Sequence, residues 1–371
     1  MARLTLVLSL IWFFCGGFVL AGSSIWQPAL VPRHHTALNR RYYYARKDKA
    51  GTPANRDPWA NRVIRYCFSP DQETQAAKSR LKKYLKDARK IWIAKGLDEG
   101  FRIEEVNDNT CTSQRNDVLM VRYTGLTGGM ATFVGFPDSS IVMQPDQGAS
   151  MMLTDRIDMG LLDVVANFAH ELGHAWGLYH EHQNPKFWSG VDGADAGTVW
   201  GPNNPGGWNC VNLKDYASVV TGLVVQTGNG GNRNLNRDRL CSNQGVAAAA
   251  RFSASDYLPM PGMGTAHSDG HGANEVDWQS IMIYPSGAGG IETKPGQPVT
   301  PEDDHRAPIL LQPGGARIPI NLFPSALDIA ALNGLYSDVG GNKLDLINTL
   351  KTFKKVYKAS DSGPSGGSGC L

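Results

Sequence analysis

The 371-residue chain carries almost no excess charge of either sign, and this limits the partners that it can attract electrostatically. Lys and Arg number 36 against 34 Asp and Glu, which gives a formal net charge of +2. Proteins that bind nucleic acid or anionic membranes usually concentrate many more positive charges. We therefore predict no nucleic-acid partner. The chain also lacks an Asn-x-Ser/Thr sequon, so we expect no N-linked glycan.

The first 23 residues have the pattern of a secretory signal peptide. Arg3 supplies the positive start, residues 4–20 form the apolar run, and residues 21–23 are small. The run approaches the length of a short membrane span, so a signal anchor is the alternative. Gly16 and Gly17 weaken it as an anchoring helix. We predict a secreted, extracellular protein without stable membrane insertion.

The cysteines agree with an oxidising compartment. Cys15 lies in the predicted signal peptide, and Cys370 near the end of the chain is left without an obvious partner. The four that remain allow three connectivities. We favour the pairs Cys67–Cys111 and Cys210–Cys241.

Residues 170–181 read HELGHAWGLYHE and contain the side chains from which we predict the chemistry of the chain. A spacing of four places His170 and His174 one helical turn apart, close enough to share an ion. Gly177 is suited to end that helix, so that the chain turns back and brings His180 to the same place. Three protein ligands and an open fourth position form a catalytic zinc site. We predict one Zn²⁺ here, with Glu171 as the base.

The alternative is that these are ordinary histidines of a buried helix. A lone H-E-x-x-H pattern occurs often by chance, but Gly177 and His180 at fixed offsets argue against that explanation for the whole stretch. The helix itself is predicted from an apolar stripe at helical spacing. Its members are Leu161, Val164, Val165, Phe168, Leu172, Ala175 and Trp176.

The stretch has the form H-E-x-x-H-x-x-G-x-x-H and resembles the metzincin clan of zinc proteases. It is similar to the astacin family in particular, because Glu181 follows the third histidine. Ser280–Tyr284 reads Ser-Ile-Met-Ile-Tyr and resembles that family's Met-turn. The resemblance implies that Met282 lies beneath the metal. It also implies that Tyr284 is a further zinc ligand that moves to stabilise the oxyanion.

Other implications of the resemblance concern the N-terminal region. In that family the residue matching Glu181 contacts the N-terminus of the mature enzyme, so this role is expected here. Astacins are usually made as zymogens, and residues 24–57 are predicted to be a pro-segment or flexible arm. The family's Phe-x-Gly-Asp pattern is not found before the catalytic domain, so the mode of latency stays open.

The resemblance implies an α+β fold with two lobes over residues 58–340. The upper lobe is expected to hold a twisted mixed sheet and two long helices, and the lower lobe to be mostly irregular with a C-terminal helix. Strands are predicted at residues 62–68, 101–106, 117–123 and 140–144. Helices are predicted from Asp71 to about Gly96, at the zinc stretch and at residues 325–336.

Three further segments complete the expected organisation. Residues 185–278, called the inserted region below, are predicted to be loops added to the lower lobe. Residues 141–143 are expected, by resemblance, to pair with an extended substrate. Residues 341–371 are predicted to form a short helix and a disordered Ser/Gly-rich tail.

These features predict a secreted zinc metalloendopeptidase that cleaves internal peptide bonds of proteins or peptides, with no cofactor beyond zinc. Two alternatives stay open. The first is a catalytically silent relative that binds zinc and a protein partner. The second is a zinc hydrolase of a small substrate, which requires the inserted region to close the site.

Overall fold

The structure of the chain is a computed structural model. It describes residues 20–21, 56–115, 117–125, 128–137, 148–194, 196–204, 206–226, 239–259 and 273–337. The strands are β1 (Leu20–Ala21), β2 (Arg56–Asp57), β3 (Val63–Phe68), β4 (Arg102–Glu105), β5 (Leu119–Tyr123), β6 (Ala131–Phe133), β7 (Phe136–Pro137) and β8 (Ser150–Leu153). The helices are α1 (Gln72–Ala94), α2 (Asp108–Ser113), α3 (Val164–Trp176), α4 (Tyr216–Gln226), α5 (Gln244–Ala249) and α6 (Ala326–Ser337).

A mixed sheet of six strands has the order β1-β6-β8-β5-β3-β4. The neighbours β8, β5, β3 and β4 are parallel, whereas β6 runs antiparallel to both β8 and β1. β2 and β7 form a separate antiparallel pair. The α+β fold predicted from the sequence is therefore confirmed.

Helix α1 begins where the sequence predicts. The Asp71 side chain accepts a hydrogen bond from Thr74 N, which satisfies one of the free amides of the first turn. One face of the helix, carrying Leu81, Leu85, Ala88 and Trp92, is buried.

This buried face of α1 packs against α3. The Trp92 indole donates to the Ala169 carbonyl at 2.8 Å. The Trp92 and Trp176 rings meet edge to face, with centroids 5.9 Å apart. α1 therefore fixes the position of the helix that carries the first two histidines.

Three of the predicted strands, at 62–68, 101–106 and 117–123, correspond to β3, β4 and β5. The predicted strand at 140–144 lies outside the described residues, and so do residues 141–143, residues 24–55 and residues 338–371. Leu20 and Ala21 fall in the predicted signal peptide, which stays a prediction. Among the described residues, no helix is long and apolar enough to span a membrane.

The inserted region is more regular than the sequence analysis expected. It contains α4 and α5 as well as several short 3-10 turns. α4 reads YASVVTGLVVQ and is apolar almost throughout. A helix of this kind shows no alternation of polar and apolar residues, so the periodicity that reveals an amphipathic helix is absent.

Both favoured disulfides are present, Cys67–Cys111 and Cys210–Cys241, so that prediction is confirmed. The first joins β3 to α2. The second joins two parts of the inserted region, and the neighbouring Trp208 indole donates to the Cys241 carbonyl at 2.9 Å.

Replacing both Cys210 and Cys241 by serine should lower the free energy of unfolding by about 3–4 kcal/mol, because the bridge closes a long loop. Guanidinium unfolding of the oxidised proteins measures the difference. The matched control replaces Cys67 and Cys111, whose sequence separation of 44 compares with 31 for the first pair, and should lose a similar amount. An unchanged free energy in the first variant would contradict the expectation.

Candidate metal centre

The end of α3 turns the chain back toward its own histidines. Gly177 has a left-handed backbone with φ of 115°. Gly177 N donates to His174 O at 2.8 Å, and Leu178 N donates to Gly173 O at 2.9 Å. These two bonds form a Schellman motif, which glycine at this position permits without steric cost. The turn brings His180 back beside the last turns of α3.

The three histidines present the same ring nitrogen to one point. The Nε2 atoms of His170 and His174 are 3.0 Å apart, those of His174 and His180 are 3.0 Å apart, and those of His170 and His180 are 3.1 Å apart. All three residues are buried. Among the described residues, they form the one group of histidine, cysteine or carboxylate side chains that converges as a metal site does.

Each opposite nitrogen has a partner that sets the tautomer. His170 Nδ1 donates to Ile281 O at 2.7 Å, and His174 Nδ1 donates to Leu178 O at 2.7 Å. His180 Nδ1 donates to Gln183 Oε1 at 2.8 Å. Because carbonyl oxygens only accept, the proton of each ring lies on Nδ1 and the lone pair on Nε2. Three converging lone pairs fit a zinc ion, whose bonds to nitrogen are about 2.0–2.1 Å long.

Burial keeps these imidazoles uncharged. It lowers the pKa of His170 and His174 well below the usual value and that of His180 to about 3. The mutual repulsion of the rings adds to the effect at His170 and His174. Neutral imidazole is the form that binds a metal, so the site needs no deprotonation of its ligands at neutral pH.

Glu171 lies between the first two histidines and is fully buried, with 0% of its surface exposed. Burial raises the pKa of its carboxyl well above the usual value, and the Thr132 hydroxyl on β6 offsets part of that rise. A raised pKa makes this carboxylate a stronger base than an exposed one, which suits a group that must take up a proton.

The segment Ser280–Tyr284, here called the Met-turn, lies directly against α3. A Cβ atom on Gly173 would come within 2.5 Å of Met282 Sδ and 3.1 Å of Trp92 Cζ2. Glycine at this place therefore lets the Met-turn approach the helix between His170 and His174.

Tyr284 stands beside the third histidine. Its ring centroid is 4.5 Å from that of His180 and 6.2 Å from that of His170. Tyr257, from the inserted region, meets the Tyr284 ring edge to face at 5.2 Å. The structure thus brings Tyr284 next to the histidines, and its role as a ligand or oxyanion donor stays a prediction.

Glu181 connects the third histidine to the Met-turn. Its amide donates to Met282 O at 3.1 Å, and its Oε1 accepts from Asp277 N at 3.1 Å. Burial raises the pKa of its carboxyl well above the usual value, and the charges of Asp277 and Asp328 act in the same direction. The expected contact of Glu181 with the N-terminus of the mature enzyme stays a prediction.

The sequence analysis did not single out His182, Gln183 or Asp328. His182 is buried and stacks on His180 with centroids 5.1 Å apart. Its Nδ1 accepts from Tyr284 N at 3.3 Å, and its Nε2 donates to Asp256 O at 3.1 Å. His182 and Asp328 contact residues that are distant in sequence, so no sequence pattern reveals their contacts. Ser325 and Asp328 do have the spacing of a helix-start motif.

The comparisons with known proteins found similar solved structures but no matching protein family. No protein-family model and no curated protein sequence matches the chain. One similar solved structure is high choriolytic enzyme 1, a hatching enzyme zinc-protease from Oryzias latipes (medaka fish). It has 16% identity and a TM-score of 0.36, and the match covers 82% of this chain and 99% of that chain. Another is myroilysin, with 15% identity and a TM-score of 0.35, covering 83% of this chain and 99% of that chain. The likeness concerns the fold and, at TM-scores below 0.5, carries no weight for function.

Replacing Gly173 by alanine should destabilise the protein by about 1–3 kcal/mol, because the added methyl group overpacks a site already filled by Met282 and Trp92. Thermal and chemical unfolding of the variant measure the loss. The same replacement should cost less when Met282 is alanine, since the nearest clashing atom is then absent. Equal costs in the two backgrounds would contradict the close approach of the Met-turn.

Proposed function

We propose that the chain is a secreted zinc-dependent metalloendopeptidase that hydrolyses internal peptide bonds of proteins or peptides. The observation that carries the proposal is the convergence of three Nε2 atoms, 3.0–3.1 Å apart, at a helix that also carries the buried Glu171. Three neutral nitrogen ligands that leave a fourth position open are the donor set of a catalytic zinc rather than a structural one. The resemblance to astacins rests on the motif residues and agrees with this assignment.

His170, His174 and His180 would hold the zinc, which would supply a coordinated water with a pKa lowered to about 7 and a polarised substrate carbonyl. Glu171 then acts as the base that accepts the proton of the attacking water. Burial raises the pKa of this carboxyl, which helps it to take up the proton, and the resulting acid is the proposed donor of that proton to the leaving amine. Tyr284, held against His180 and His182, is the proposed hydrogen-bond donor to the oxyanion.

Secretion is proposed from the signal-peptide pattern. The two disulfides support it, because such bridges form and persist in oxidising compartments.

One observation favours the alternative of a small substrate. His170, His174 and Glu171 are each 0% exposed, and Tyr257 and Asp256 of the inserted region contact Tyr284 and His182. The inserted region thus contributes to the enclosure of the site, as a hydrolase of small molecules requires. A silent zinc-binding relative has less support, because it would be expected to have a broken motif, whereas the sequence contains the proposed base and all three proposed ligands.

Replacing Glu171 by glutamine should reduce the rate of hydrolysis of an unfolded protein by about 10²–10⁴ while zinc remains bound. Glutamine has the shape of the acid but takes up no proton. The measurement compares turnover and zinc content in the purified chain, before and after limited proteolysis of the predicted pro-segment. Glu104→Gln, at an exposed glutamate of β4, is the matched control and should keep full activity. Full activity in the Glu171 variant would exclude the assigned base.

Peptides of increasing length distinguish an endopeptidase from a hydrolase of small substrates. If the chain is an endopeptidase, kcat/KM should rise as residues are added on both sides of the cleaved bond, because distant subsites contribute binding in the transition state. A series from dipeptide to decapeptide with one fixed central bond measures this. A value that is highest for the shortest members would favour the small-substrate hydrolase.

A further inference from the structure

Asp328 is a carboxylate buried in the first turn of α6, with 4% of its surface exposed. It accepts three hydrogen bonds. Ser280 Oγ donates to Oδ1 at 2.7 Å, while Ile281 N and Ser325 N each donate to Oδ2 at 2.9 Å. Two of the three donors belong to the Met-turn. Asp328 therefore ties the C-terminal helix to that turn.

The Met-turn holds His170 through a single peptide unit, the one between Ile281 and Met282. Its carbonyl oxygen accepts from His170 Nδ1 at 2.7 Å, and its N–H donates to Ser280 Oγ at 2.9 Å. The Ser280 hydroxyl is itself fixed by its bond to Asp328. Asp328 thus fixes the plane of this peptide through Ser280. The same peptide fixes the orientation of the His170 ring through its carbonyl oxygen.

We propose that Asp328 is a positioning residue of the zinc site, which orients His170 through the Met-turn so that its Nε2 points at the metal. The inference rests on the proposed zinc site. A ligand histidine commonly donates its other nitrogen to a fixed acceptor, and losing that support typically lowers metal affinity about 10–100-fold. Here the acceptor is a backbone carbonyl, and Asp328 is the charged group that fixes it.

A purely structural role is the competing explanation. Ser325 Oγ accepts from Asp328 N at 2.9 Å while Asp328 accepts from Ser325 N, so the two residues form a capping box at the start of α6. A capping residue stabilises the helix and does not change zinc affinity.

The burial of Asp328 argues against a role in capping alone. Burial and the charge of Asp277 raise the pKa of Asp328 to about 7. Holding a carboxylate there costs desolvation energy, and a helix cap exposed to solvent would avoid that cost.

The test compares zinc affinity and stability in four variants of the full chain. Asp328→Asn and Asp328→Ala remove the charge, and Ser280→Ala removes the hydroxyl that joins Asp328 to the Met282 amide. Ser325→Ala removes the hydroxyl that accepts from Asp328 N and donates to Asp277, and it leaves both bonds between Asp328 and the Met-turn in place. The zinc Kd of the metal-free proteins is measured by competition with a chromophoric chelator, and Tm by circular dichroism. The absorption spectrum of each cobalt-substituted protein reports the ligand geometry independently of activity.

We expect zinc affinity to fall at least tenfold in Asp328→Asn and Ser280→Ala, with an altered cobalt spectrum, by the loss of ligand support. Ser325→Ala should lower Tm but keep the Kd and spectrum of the parent. A parent-like Kd and spectrum in both Asp328→Asn and Ser280→Ala would overturn the inference and leave capping as the role of Asp328. If Asp328→Asn does not fold, Ser280→Ala decides the matter. A parent that binds no zinc would instead overturn the proposed function, and this inference with it.

Discussion

Three imidazole rings can share one ion only if each turns an unprotonated nitrogen toward it, and much of this structure serves that constraint. Every ring has two nitrogens, and the hydrogen bond made by one decides what the other offers. Here His170, His174 and His180 all give Nδ1 to an oxygen and keep Nε2 for the centre. Two of the oxygens are backbone carbonyls, so ligand geometry depends directly on the path of the chain.

The core holds the helix on which two of these rings stand. Residues 166–176 of α3 are buried along their whole length, so the helix has neighbours on every side. Trp92 of α1 reaches the Ala169 carbonyl, and the Tyr336 hydroxyl of α6 donates to Trp176 O at 3.0 Å. Because an interior at protein density leaves few voids, a shift of α3 would disturb all of these contacts at once. The rigidity of the site follows from this packing.

The parts of the molecule that could be predicted from the sequence are those encoded by neighbours in the chain. The spacing of His170, His174 and Gly177 describes a helix and its end, and the local turn then delivers His180. The Asp71 cap and the apolar face of α1 are equally local. β6 and β8 were not predicted, because neither Ala131–Phe133 nor Ser150–Leu153 alternates apolar with charged side chains.

The supporting contacts could not be predicted for a different reason. Asp328 reaches Ile281 across 47 residues, and His182 reaches Asp256 across 74. Partners so distant in sequence are decided by the tertiary fold, and an aspartate three residues after a serine predicts a helix cap alone. The sequence therefore predicts which three histidines converge but not the distant groups, such as Asp328 and His182, that pack around them.

The three orienting acceptors also lie at very different distances along the chain, and this bears on the order in which the site is assembled during synthesis. His174 and His180 find their acceptors four and three residues further on, whereas the acceptor of His170 lies 111 residues away. A nascent chain emerging N-terminus first therefore orients two of its rings long before the third. The site becomes complete only after residue 281 has left the ribosome, so the convergence of the three Nε2 atoms belongs to the late, long-range stage of folding.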